Sequence, residues 1–188
     1  MEVYMKIALI IIDVQNDYFN GGKNPLNNPE KAAQNARIAL DIFRNKNLPI
    51  FHVKHISLNE GATFFLPDTI GNEIHNIIKP LPNEKIFIKH KPNSFCETNL
   101  NENLQKDGIK KIVICGMMSH MCIDTTVRAA KDYSYEVIVL DDACTTKDLI
   151  WRDEKIMADD VHRTFMASLQ GTFARIIKTN ELGNYLNT

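Results

Sequence analysis

Apolar positions cluster in six short runs along the chain, separated by longer stretches of mixed character. The first, Ile7-Ala-Leu-Ile-Ile-Ile-Asp13, is apolar at every position up to its closing carboxylate and does not alternate. That pattern predicts a strand covered on both faces, as in a parallel sheet. Leu48–Lys54, Lys85–Lys89, Lys110–Cys115 and Tyr135–Leu140 read the same way, and Ala174–Lys178 is a shorter sixth run.

Helical spacing fills the gaps between the runs. Ala33, Ala36, Ile38, Leu40 and Phe43 form a stripe within Pro29–Lys46, with Asn28 as the expected N-cap and Pro29 at the first helical position. Asn99–Lys106 predicts a short helix stopped by Gly108, and His120–Asp132 and Asp153–Leu169 complete the set. Strands alternating with helices define an α/β domain with a parallel sheet and right-handed crossovers. One stretch breaks the alternation: Ser57–Asn83 carries Gly61, Pro67, Gly71, Pro80 and Pro82, and its length and punctuation predict a functional loop or lid.

Composition narrows the class. The chain has 188 residues, enough for one domain spanning 1–188, with 44% hydrophobic and 24% charged residues, as in soluble globular proteins. Lys plus Arg is 22 against Asp plus Glu 23, a net charge of −1, so no basic excess exists to meet a phosphate backbone or an anionic membrane. Nucleic acid and membrane are therefore not expected partners. No leader sequence is readable in Met1–Asp13, and no apolar run approaches membrane-spanning length. The cysteines, at 96, 115, 122 and 144, form no C-x-x-C pair and are too sparse for a disulfide scaffold, which points to reduced thiols in a cytoplasm.

Ligands of an open parallel sheet collect beyond the carboxyl ends of the strands. The first strand delivers Asp13 there and the third Lys89. The fourth delivers Cys115-Gly116, followed by a turn and a helix whose first turn holds Cys122. A thiol in a first helical turn meets unpaired N–H groups and the positive end of the dipole, both of which favour thiolate. Lys89 would reinforce that and Asp13 could take the thiol proton, a set suited to acyl transfer through a thioester. Backbone N–H groups between Met117 and Cys122 are placed to bind an oxyanion. Taken alone, each residue also has a plain structural reading: a buried thiol, a loop cap, one lysine among several.

The motifs resemble those of the isochorismatase-like cysteine hydrolases. Asp13-Val-Gln15-Asn-Asp17-Tyr-Phe19 is similar to that family's D-x-Q-x-D-F signature, and Ile88-Lys89-His90-Lys-Pro92-Asn93-Ser94-Phe95 to its lysine strand and following turn. Cys115-Gly116-Met-Met-Ser-His120-Met-Cys122 resembles its glycine turn and nucleophile helix, and Leu140-Asp141-Asp142-Ala143-Cys144 the strand after it. The resemblance implies a three-layer, Rossmann-like fold with a six-stranded parallel sheet and helices on both faces. It also implies a triad on Asp13, Lys89 and Cys122, and a non-proline cis peptide at Met117–Met118 aiming the N–H groups of Met118 and Cys122 into the pocket. Gln15, Phe19, His55, Phe95 and His120 are the expected pocket residues, with Phe64, Phe65 and Trp151 as further aromatic wall candidates and His75 on the lid.

Family amidases use the cysteine, whereas isochorismatases proper, which cleave an enol ether, are described as lacking it. Hydrolysis of a small amide is therefore the expected activity, with an ether hydrolase or a non-catalytic binding relative as alternatives. Nicotinamidases of the family hold a metal through a D-x-H arrangement. Here the corresponding segment reads His52-Val-Lys54-His55, without the aspartate and with the two histidines on opposite strand faces, so no metal and no cofactor is expected. A homo-oligomer is implied, with residues 162–170 near the interface.

Overall fold

The computed structural model describes residues 6–186. Met1–Met5, within the segment read as free of a leader, and the last two residues of the expected domain lie outside the described residues.

Six parallel strands form one sheet: β1 Lys6–Ile12, β2 Ile50–His55, β3 Lys85–Lys89, β4 Ile109–Met117, β5 Glu136–Thr145 and, after a small separate hairpin of β6 Leu149–Trp151 and β7 Glu154–Ile156, β8 Arg175–Ile177. The order is β3-β2-β1-β4-β5-β8. β1 and β4 are central and buried along nearly their whole length, as uninterrupted apolar runs require. Helices α1 Pro29–Asn45, α2 Leu100–Lys106, α3 Asp124–Asp132 and α4 Ala158–Leu169 cover the sheet, and the buried apolar side chains form one contiguous core. No helix among the described residues is long and apolar enough to cross a membrane.

Several local expectations are corrected. β3 is an edge strand whose outer face stays open, so Ile86 and Ile88 are 50% and 51% exposed while Phe87 and Lys89 point inward. The stretch 153–157 is not the start of a helix: Arg152 and Asp153 have positive φ and turn β6 back onto β7, and α4 begins only at Ala158. Asn28 stands at the N-cap of α1 with φ 46° and no side-chain cap, although Pro29 occupies the first turn as expected. β5 continues to Thr145, past the end of its apolar run at Leu140, and so includes Cys144. Gly108 follows α2 with φ 70°, a left-handed stop.

Candidate active site

Each strand end delivers its side chain through a distinct local device. Asp13 follows β1 with φ 51°, a left-handed conformation that aspartate tolerates better than most residues, and its backbone N–H donates to the Val53 carbonyl at 2.9 Å. Lys89 closes β3 on its inward face. Gly116 on β4 adopts φ 128°, and a Cβ there would stand 2.0 Å from the Ile12 carbonyl oxygen, so only glycine lets β4 pass β1 at this point. The chain continues through a cis Met117–Met118 peptide into a π-helical turn, Ser119–Ile123, which presents Cys122 ahead of α3. The expected ordinary first turn of a helix at His120 is thus replaced by this wider turn.

These devices bring the three side chains together. The Lys89 ammonium lies 2.7 Å from Asp13 Oδ2 and 3.1 Å from Cys122 Sγ, with both members of the ion pair fully buried. Lys89 Nζ also donates to the Lys91 carbonyl at 3.1 Å and stands 3.2 Å from His55 Nδ1. Burial alone would depress the Lys89 pKa, but Asp13 and Cys122 outweigh it and the net direction is up, so the ammonium stays charged. Burial, with Lys89 adding to it, lowers His55 to about 4, leaving a neutral ring that can accept from Lys89.

The thiol departs from the sequence expectation. Burial and the Asp13 carboxylate raise the Cys122 pKa, and Lys89 opposes them without prevailing. Cys122 is 6% exposed, and with burial and the Asp13 charge both raising its pKa the resting sulfur keeps its proton near a carboxylate able to receive it.

A cavity of about 410 Å³ opens onto Cys122. Tyr18, Phe64, Phe65, Met118 and Met121 supply its apolar wall, and His55, His90 and Lys91 its polar edge. Residues 57–65 of the long Gly/Pro-rich stretch form one side of this space and do not fill it.

Of the five expected pocket side chains, His55 lines the cavity and the others do different work. Gln15 is wholly buried and clamps the loop: its amide accepts from His55 N–H at 2.8 Å and donates to the His55 and Asn72 carbonyls at 2.9 and 2.7 Å. Phe19 stacks on His75 at 3.8 Å, Phe95 packs against Tyr133 and Tyr135, and His120 pairs with Thr146 beside Phe165. Trp151 stands exposed on the hairpin. His52 bonds Glu84 at 2.9 Å on the face opposite His55. Tyr18 and Asp17 went unread as site residues. Asp17 receives the Phe65 and Lys23 N–H groups and lies so close to Gly71 that a Cβ there would meet its carboxylate at 2.1 Å. Its place in the D-x-Q-x-D spacing was the available signal.

Residues 7–181 match the family model described as the isochorismatase domain. The chain belongs to the isochorismatase family, a family of hydrolases. It is 52% identical over 177 residues to the isochorismatase family protein YddQ of Bacillus subtilis, covering 94% of this chain and 98% of that protein. A crystal structure of an isochorismatase hydrolase from Oleispira antarctica superposes with a TM-score of 0.92 at 43% identity, over 97% of this chain and 98% of the other. Nicotinamidase 3 of Arabidopsis thaliana is 27% identical over 188 residues, 93% of this chain and 86% of its own length.

Proposed function

We propose that this isochorismatase-family hydrolase cleaves the C–N bond of a small amide through a thioester on Cys122. The observation that carries the reading is the placing of the Lys89 ammonium between a buried carboxylate and the Cys122 sulfur, at the wall of an open cavity. A nicotinamidase among the relatives supports amide over ether as the bond cleaved.

In this scheme the protonated resting thiol gives its proton to Asp13 as sulfur attacks the amide carbonyl carbon. The N–H groups of Met118 and Cys122 receive the developing oxyanion. Collapse breaks the C–N bond, and the departing nitrogen takes the proton back from Asp13. A water molecule, deprotonated by Asp13, then attacks the thioester carbonyl, releases the acid and returns the proton to sulfur. Lys89 stays an ammonium throughout and offsets the negative charge shared between Asp13 and Cys122. The same reading assigns the protein to a reducing cytoplasm, where its free thiols persist.

A panel of small amides assayed for ammonia or amine release tests the proposal, with Cys122→Ala as the blank. Turnover by the native chain, lost in the variant, together with an acyl adduct on the Cys122 peptide by mass spectrometry, is the expected result. Turnover that survives Cys122→Ala overturns it.

A further inference from the structure

Tyr18 brings to the cavity a group that neither this chemistry nor the hydrogen bonds among the described residues employ. Its ring is 2% exposed, tilted against Phe65 at 4.6 Å and Phe64 at 6.0 Å between centroids. The backbone beneath it is pinned: Tyr18 N–H donates to the Gln15 carbonyl and the Tyr18 carbonyl accepts from Leu26 N–H, each at 3.0 Å. The ring therefore stands in a fixed place on the cavity wall beside Cys122. Buried tyrosines ordinarily give their hydroxyl a partner. Here no described residue takes a hydrogen bond from it; its electrostatic neighbours are the Cys122, Asp13 and Asp17 groups.

The sequence sharpens the point. Asp13-Val-Gln15-Asn-Asp17-Tyr18 follows the D-x-Q-x-D-F signature except at the last position, where tyrosine replaces phenylalanine. That change adds one oxygen to a wall otherwise made of Phe64, Phe65, Met118 and Met121. Burial, helped by Cys122 and Asp13, holds the phenol well above its usual value, so it remains a neutral donor.

We infer that Tyr18 is a specificity-determining residue whose hydroxyl donates to an acceptor on the acyl part of the substrate. The substrate class is then a largely apolar amide that carries a second hydrogen-bond acceptor besides the scissile carbonyl. A ligand lacking that acceptor buries the hydroxyl unpaired, whereas one that has it satisfies a donor held in position in advance. The inference rests on the amide reading, and its test separates the two.

The probes are size-matched benzamides, acetyl against isopropyl at each of the three ring positions, titrated calorimetrically into Cys122→Ala protein, which holds them without turnover. In one position the acetyl compound should bind about tenfold more tightly than its isopropyl partner. In Cys122→Ala/Tyr18→Phe that preference should fall below about twofold, while isopropyl affinity holds or rises. Because phenylalanine is the residue of the family signature, the double variant should fold, which its thermal unfolding reports directly. An equal preference in both backgrounds, no preference at any position, or no binding of either series overturns the inference. Turnover by Cys122→Ala would instead overturn the thioester reading and leave the Tyr18 comparison standing.

Discussion

Gly116 on β4 and the carbonyl of Ile12 on β1 approach so closely that the hydrogen of glycine is the largest substituent the gap accepts. Ile12 immediately precedes Asp13, and Gly116 leads into the turn that carries Cys122, so this contact joins the two strand ends that carry base and nucleophile. Gly116→Ala combines a forbidden Cβ contact with a φ of 128°. It should cost about 3 kcal/mol or more, read as a shift in the denaturation midpoint, and should lower activity even in the fraction that folds.

Asp13→Asn should move two readouts in opposite directions. Loss of the base should lower kcat/KM by about 10² to 10⁴-fold. Removing the carboxylate also removes a charge that raises the Cys122 pKa while Lys89 remains, so the thiol pKa should fall. Alkylation of Cys122 by iodoacetamide at neutral pH should therefore speed up relative to the native protein.

His55 makes stability depend on pH in a defined window. Its folded pKa, about 4, lies below the unfolded value of 6.5, so the unfolded chain binds more protons between those values. Stability is therefore fully present above about pH 6.5 and is lost as pH falls toward 4, by about 1–2 kcal/mol once its partial exposure is allowed for. His55→Asn should reduce the slope of that part of a stability-versus-pH curve measured by urea unfolding, leaving the share that His52, His75, His120 and His162, also lowered by burial, contribute.

Gln15→Leu keeps the volume and deletes the clamp. The His55 N–H loses its acceptor and the Asn72 carbonyl loses a donor. A loss of about 1–3 kcal/mol per stranded group is expected. Limited proteolysis should then cut within residues 57–72 sooner than in the native chain, with a rise in KM larger than the fall in kcat.

Much of this site can be read from the order of residues because each catalytic candidate lies at the end of a strand or in the segment that follows it. Asp13, Lys89 and the Cys115-Gly116 pair sit where an apolar run stops, and parallel strands must stop at the same sheet edge. The cavity wall follows no such rule. Tyr18 closes a 3₁₀ turn, Asn16–Tyr18, and Phe19 follows it in extended backbone, so which ring meets the cavity depends on a bend without a hydrophobic period. Tyr18 faces Cys122, while Phe19 turns to His75. Ile86 and Ile88 misled for another reason, since nothing in Lys-Ile-Phe-Ile-Lys tells an edge strand from a central one. The protonation of Cys122 was equally hidden, because a helix terminus favours thiolate only where burial and a neighbouring carboxylate do not outweigh it.

Lys89 belongs to β3, which has a neighbour, β2, on one side only. Amide hydrogens on such a margin exchange through local opening well below the free energy of global unfolding. When β3 peels from β2, the ammonium leaves with it, and Asp13 and Cys122 are left as a carboxylate and a thiol with no cation between them. Denaturant or heat should accordingly silence the enzyme before circular dichroism registers any loss of structure, with the sheet's outermost seam acting as its fuse.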